Sequence, residues 1–168
     1  KNKLLSYHDH SNVSKINYFL KLLKEGASLA IISDAGTPLI SDPGYELVAK
    51  AIDEKIKVTS IPGPSAVISA LISSGLSTSS FVFEGYVPKK KGQLETFLKS
   101  LQYEIKTTIL FESPKRIERL AQMIVKILGP KRKVSLAKEL TKKFERVITD
   151  EAKEIYELIK IDETLKKG

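Results

Sequence analysis

Two glycine/proline loops, each set between a short apolar run and an apolar stretch at helical spacing, constrain this chain most. The first is Ser33-Asp34-Ala35-Gly36-Thr37-Pro38-Leu39-Ile40-Ser41-Asp42-Pro43-Gly44, between Leu29-Ala30-Ile31-Ile32 and Tyr45-Glu46-Leu47-Val48-Ala49-Lys50-Ala51-Ile52. The second is Pro62-Gly63-Pro64-Ser65-Ala66, between Lys57–Ile61 and the apolar run Val67–Ile72. Strand, loop and helix repeated in that order predict βαβ units and a parallel sheet, with strands over 27–32 and 57–61 and helices over 44–54 and 67–75. In open α/β sheets a ligand lies outside the carboxyl ends of the strands, where these loops fall. Gly36 and Gly44 permit turns that a side chain forbids, and Pro38 and Pro43 stiffen the path. Asp34, Asp42, Ser33 and Thr37 then stand where a bound molecule would pass. Asp42 and Pro43 also suit the N-cap and first position of the next helix.

Around this centre the chain continues to alternate. Lys1–Leu5 read as the tail of a helix and Tyr7–Asn12 as a polar loop. His8, Asp9 and His10 read as solvated loop residues rather than a metal site, because no third convincing ligand and no cysteine accompany them. A helix over 13–25 ends at Gly26. The serine/threonine-rich connector Ser77–Ser80 marks a boundary, dividing the chain into 1–78 and 79–168. Beyond it come a strand over 81–88 with the isolated charge Glu84, the basic turn Lys89-Lys90-Lys91-Gly92, and a helix over 94–101. A strand over 107–111 runs into Glu112-Ser113-Pro114-Lys115-Arg116, then a helix over 117–128. A strand over 133–137 opens into Lys138-Glu139-Leu140-Thr141-Lys142-Lys143-Phe144-Glu145, and a final helix covers 151–161.

Composition narrows the classes. The chain has 168 residues and no cysteine, which excludes a disulfide framework and thiolate metal sites and fits a cytoplasmic setting. No apolar run approaches the ~18–20 residues of a membrane-spanning helix. Lys and Arg number 28 against 20 Asp and Glu, a net charge of +8 that favours polyanionic partners. The same scatter of lysines also suits an ordinary solvated surface.

The Ser33–Gly44 run resembles the signature loop of the tetrapyrrole-methylase superfamily, and is nearest to its branch of ribosomal small-subunit RNA 2′-O-methyltransferases. Pro62–Ala66 resembles the second motif of that family. Glu112-Ser113-Pro114 and Glu139-Leu140-Thr141-Lys142 are similar to the RNA-methylating branch and separate it from the corrin and porphyrin methylases. The resemblance runs from Leu4 to about Ile159. Departures are Ser11 between His10 and Asn12, Lys115 where a histidine is common, and Ile148-Thr149-Asp150 in place of a glycine-containing turn. The family begins with a strand, a glycine/proline loop, a helix and a second strand, and ends in a closing strand beyond the position of Lys167-Gly168. The expectation is a chain cut at both ends, its first domain incomplete and its second lacking the last strand.

What the resemblance implies is an α/β protein of two α/β domains, the class III methyltransferase type, with a parallel sheet in the first. It implies S-adenosylmethionine as cofactor, held by Asp34, Ala35, Gly36, Thr37 and Pro38 and by Pro62, Gly63, Pro64, Ser65 and Ala66. Glu84 and Ala137 are further candidates near the cofactor. The implied reaction is 2′-O-methylation of a cytidine ribose in the decoding region of 16S rRNA. Glu112 and Glu139 are candidate general bases. Lys89, Lys90, Lys91, Arg116 and Lys142 are candidate RNA contacts, and Lys138 is a further cation able to steer phosphate. Tyr86 beside the lysine turn is the local arrangement that suggests base stacking. The implied partners are 16S rRNA or the small ribosomal subunit and a second copy of the chain, with no membrane and no metal. Two alternatives stay open: a small-molecule, tetrapyrrole-type methyltransferase, and a catalytically incomplete RNA-binding fragment.

Overall fold

The computed structural model describes residues 4–8 and 13–167. Their contacts divide the chain between Ser65 and Ala66 into two compact units.

In the first unit α1 (Val13–Lys24) packs against α2 (Tyr45–Asp53). Ile16, Phe19 and Leu20 recur at i, i+3 and i+4 along α1, forming one apolar face that meets Leu47 and Ala51 of α2. Tyr7 joins the same cluster, its ring centroid 5.9 Å from that of Phe19. Both helices end in a left-handed residue. Gly26 has φ 92°, with its N–H on the Leu23 carbonyl (3.1 Å) and the Ala27 N–H on that of Leu22 (3.0 Å). Lys55 has φ 63°, with its N–H on Ile52 (3.0 Å) and the Ile56 N–H on Ala51 (2.9 Å). Both patterns satisfy the orphan carbonyls of a helix end in the Schellman manner.

Three expectations change here. The segments 27–32 and 57–61 form no strand. A strand exists only with a hydrogen-bonded neighbour, and among the described residues these segments pair with none: Ile31 packs against the α1–α2 cluster, but Ile32 is 76% exposed and Ile61 83%. Leu4 and Leu5 are irregular rather than helical. Finally, α2 starts at Tyr45 with Gly44 as its N-cap (φ 136°) and no side-chain cap bond, so Asp42 does not cap it. Glycine is needed there because φ 136° strains any residue with a Cβ, which would also stand 2.9 Å from Leu39 Cδ1.

The second unit holds α3 (Ala66–Ser73), β1 (Phe81–Tyr86), α4 (Lys91–Ser100), β2 (Thr107–Phe111), α5 (Ile117–Leu128), β3 (Lys133–Lys138), β4 (Arg146–Glu151) and α6 (Ala152–Ile161). Short 3-10 turns cover Pro114–Arg116 and Glu163–Lys166. β1 and β2 pair in parallel, from Phe81 opposite Thr107 to Tyr86 opposite Phe111, with α4 as the crossover that parallel pairing demands. The α/β class holds, but its parallel pair lies in this unit rather than in the first. β3 and β4 pair antiparallel, Lys133 opposite Glu151 through Lys138 opposite Arg146. Ile148-Thr149-Asp150 therefore belongs to a strand, not to a turn before the last helix. Its apolar half, Val147-Ile148, is too short a pattern to read as a strand without its partner.

α5 presents two faces, which explains its strong periodicity. Leu120 and Met123 pack with Leu94 and Leu98 of α4, while Ala121 packs with Ile155 and Ile159 of α6. The serine-rich connector after α3 is fastened within this unit. Thr149 Oγ1 donates to the Ser74 carbonyl (2.6 Å) and Thr107 Oγ1 to that of Ser77 (2.7 Å).

Candidate functional site

In the first unit the two glycine/proline loops meet. Thr37 Oγ1 donates a 2.6 Å hydrogen bond to the Pro64 carbonyl. Ser33 Oγ closes the start of the first loop on the carbonyls of Ala35 (3.1 Å) and Gly36 (3.2 Å). Gly36 takes φ 74°, and a Cβ built there meets nothing within 4 Å. Leu39 (φ 72°) and Ser41 (φ 61°) hold left-handed backbone without being glycine, at a cost of about 1–2 kcal/mol each. Strain of this kind persists only where the surroundings over-determine it, and it gathers at ligand clamps. Asp34 is exposed, and its carboxylate has no hydrogen-bond or ion-pair partner among the described residues. Ala35 is exposed and Pro38 half-buried; in the second loop Pro62, Gly63 and Pro64 are exposed and Ser65 is half-buried. Ala66 opens α3 in the second unit.

A free carboxylate beside bare loop backbone suits a small molecule carrying both a cationic centre and polar groups. The donor set thus fits the sulfonium and ammonium of S-adenosylmethionine at Asp34, with exposed loop amides and carbonyls for its polar ends.

The second unit carries the other candidates. Glu84 sits at a bulge in β1: Phe83 faces Ile109 and Gly85 (φ 68°) faces Leu110, leaving Glu84 as the extra, exposed residue. Bulges re-aim a side chain away from the ladder. Lys89, Lys90 and Lys91 are exposed at the start of α4, whose first turn has no acidic residue. Cations there oppose the helix dipole, so an anion bound at this end is favoured twice. Tyr86, 61% exposed, stands edge-on to Phe111 with centroids 5.5 Å apart.

Glu112 and Arg116 form one cluster. The Glu112 side chain is only 5% exposed and lies 2.5 Å from Arg116 Nη2. It also accepts the Ser113 N–H at 2.6 Å, and Arg116 Nε reaches Ser113 Oγ at 3.3 Å. Arg116 is therefore committed to a carboxylate rather than held free. Lys138 is committed likewise, donating to the carbonyls of Thr164 and Lys167, both at 2.6 Å. Glu139 lies 3.9 Å from Lys138 Nζ and has left-handed backbone (φ 49°). Ala137 is half-buried in β3 opposite Val147, and Lys142 is exposed. Phe144, which sequence reasoning passed over, is 65% exposed; an aromatic inside a lysine run was the available signal.

Below this loop Arg146 Nη1 reaches Asp162 Oδ2 at 2.5 Å, and Thr164 donates to Asp162 Oδ1 from its N–H (2.9 Å) and hydroxyl (2.5 Å). The Thr164 hydroxyl and then the Arg146 guanidinium hold the Asp162 carboxyl at about 2.

Residues 4–156 match the family described as Tetrapyrrole (Corrin/Porphyrin) Methylases. The chain belongs to that family. The tetrapyrrole-methylase chain is 46% identical over 144 residues to the "Ribosomal RNA small subunit methyltransferase I" of Mesorhizobium japonicum, covering 86% of this chain and 49% of the relative. It is 43% identical over 166 residues to the protein of the same name from Vibrio cholerae, covering 99% of this chain and 58% of the relative. The chain thus spans about half to three fifths of the length of these relatives. Among solved structures it resembles the methyltransferase CobJ, with a TM-score of 0.60 at 16% identity over 83% of this chain and 63% of that one. That likeness concerns the tetrapyrrole-methylase fold alone. No helix among the described residues is long and apolar enough to cross a membrane.

Proposed function

We propose that this chain carries the S-adenosylmethionine loops of an enzyme that methylates the 2′-hydroxyl of a cytidine ribose in 16S rRNA, in the decoding region of the small subunit. The observation that carries the proposal is the hydrogen bond from Thr37 to Pro64, which brings together the two loops that the family resemblance assigns to the cofactor. S-adenosylmethionine, when bound, supplies a methyl group on a sulfonium whose departure leaves a neutral thioether. Asp34 provides the negative charge facing that cation, and residues 35–38 and 62–66 provide backbone polar groups that orient it. Glu84, exposed at its bulge, and Ala137 stand as further cofactor candidates on the family resemblance alone.

The hydroxyl proton needs an acceptor as the new carbon–oxygen bond forms. Of the two carboxylates, Glu112 is already enclosed by Arg116 and Ser113 and acts by organising that turn. Glu139, whose one ionic neighbour among the described residues is Lys138 at 3.9 Å, is the proton acceptor. Lys89, Lys90, Lys91 and Lys142 grip phosphate, and Arg116 contributes through its edge that remains exposed. The partner is the small ribosomal subunit, the working form a homodimer and the setting the cytoplasm. The names of the relatives support an rRNA substrate over a tetrapyrrole.

The test is transfer of labelled methyl from S-adenosylmethionine to small subunits that lack the modification, with the product read by nuclease mapping. Label in a cytidine 2′-O-methyl group of 16S rRNA supports the proposal. Label on a base, or transfer to a tetrapyrrole instead, contradicts it.

A further inference from the structure

We infer that Phe144 is a stacking platform for one unpaired base of the RNA, held out by a braced loop, with the phosphate-binding cations Lys142 and Lys143 immediately before it in the chain. The inference rests on the RNA substrate proposed above and adds to it a residue and a mode of contact.

Three observations carry it. First, the Phe144 ring is 65% exposed on a loop where burial was available to other apolar residues of the same unit, and Lys143 Nζ stands 5.5 Å from its centroid. An exposed ring with an ammonium group beside it presents a π-face and positive charge together, the pair of features with which proteins take hold of single-stranded nucleic acid. Second, the loop from Glu139 to Glu145 is braced by its own hydrogen bonds. Glu139 (φ 49°) and Thr141 (φ 67°) are both left-handed without being glycine. The Lys142 N–H donates to the Glu139 carbonyl (2.9 Å) and the Glu145 N–H to that of Lys142 (3.1 Å). The Glu145 carboxylate receives the Thr141 N–H across the loop. A tip fixed in this way loses little further conformational freedom on binding. Third, Lys142 and Lys143 are exposed and paired with no carboxylate among the described residues, unlike Lys138 at the foot of the loop, which is bound to two carbonyls. The loop separates structural from available cations, and the available ones immediately precede the ring in the chain.

An unpaired base suits this tip better than a duplex does. Stacking needs a base free of its neighbour, and RNA is read mostly in loops and single strands. A protein partner would be expected to bury the ring in a concave apolar surface, where adjacent ammonium groups are a hindrance.

The chain contains no tryptophan, so Phe144→Trp places a single indole reporter at the tip. The experiment titrates fluorescein-labelled single-stranded and duplex oligoribonucleotides into wild type, Phe144→Ala, Phe144→Trp, Lys142→Ala and Lys143→Ala, by anisotropy, and follows indole emission in the tryptophan variant. Phe144→Ala is expected to weaken single-strand binding roughly tenfold, and Phe144→Trp to retain it with quenching of the indole. Each lysine variant is expected to reduce the salt slope by about 0.7 on single strands. Equal single-strand binding by Phe144→Ala and wild type, with no quenching in Phe144→Trp, overturns the platform while leaving the RNA substrate standing. Absence of RNA binding by the wild type overturns both.

Discussion

The Thr37 hydroxyl donates to the Pro64 carbonyl across 27 residues of sequence, at 2.6 Å. This bond joins a loop with a free carboxylate to a loop of bare backbone. Thr37→Val keeps the shape and removes the donor, so it is expected to weaken S-adenosylmethionine binding by about 1 kcal/mol, roughly fivefold. Thr37→Ser should restore it. Calorimetry on the three proteins checks this, and undiminished binding by the valine variant counts against a shared seat.

Lys55 and Gly44 make opposite predictions about backbone. Lys55 occupies a left-handed helix end at φ 63°, so Lys55→Gly is expected to stabilise the first unit by about 1 kcal/mol. Gly44→Ala puts a Cβ 2.9 Å from Leu39 Cδ1 at φ 136° and is expected to destabilise it by at least about 1 kcal/mol. Urea unfolding of both variants decides the signs.

How much of this was legible in the sequence differs between the units. In the second, the periodicity of 117–128 and the apolar run 107–111 match α5 and β2 to the residue, because each buries its pattern against a neighbour in the same unit. The apolar runs 27–32 and 57–61 carry a strand-like pattern of equal quality, yet Ile32 and Ile61 stay exposed. Composition specifies a surface that prefers burial, but only a pairing partner makes it a strand. β4 was hidden for the complementary reason, its outer half Thr149-Asp150-Glu151 being polar. That residues 33–44 and 62–65 form loops was legible from glycine and proline spacing. The pairing of Arg116 with Glu112 was not, since a four-residue separation across a 3-10 turn leaves direction undetermined.

The Glu112 carboxylate, enclosed by Arg116 and Ser113, predicts a strong stability effect. Glu112→Ala leaves the guanidinium without its partner and is expected to cost about 3 kcal/mol. Adding Arg116→Met should recover much of it. Denaturation of both singles and the double isolates the coupling, and additivity of the two substitutions argues against the pair.

Asp162 gives a pH signature. Its folded pKa of about 2 lies below the ordinary 3.8, so its contribution is fully present above pH 4 and is lost as pH falls toward 2. Asp162→Asn is expected to lower the Tm at neutral pH and to flatten the fall in Tm between pH 4 and pH 2. A variant with an unchanged acid slope contradicts the role given to Thr164 and Arg146.

The central claim is that Ser33–Pro38 and Pro62–Ala66 form the seat of S-adenosylmethionine, and calorimetric titration of that molecule into the wild-type chain and Asp34→Ala measures it most directly. The account predicts saturable binding by the wild type and binding weakened at least about tenfold by the substitution, as expected for loss of a charged contact. Equal affinity in the two proteins, or none in the wild type, would contradict it.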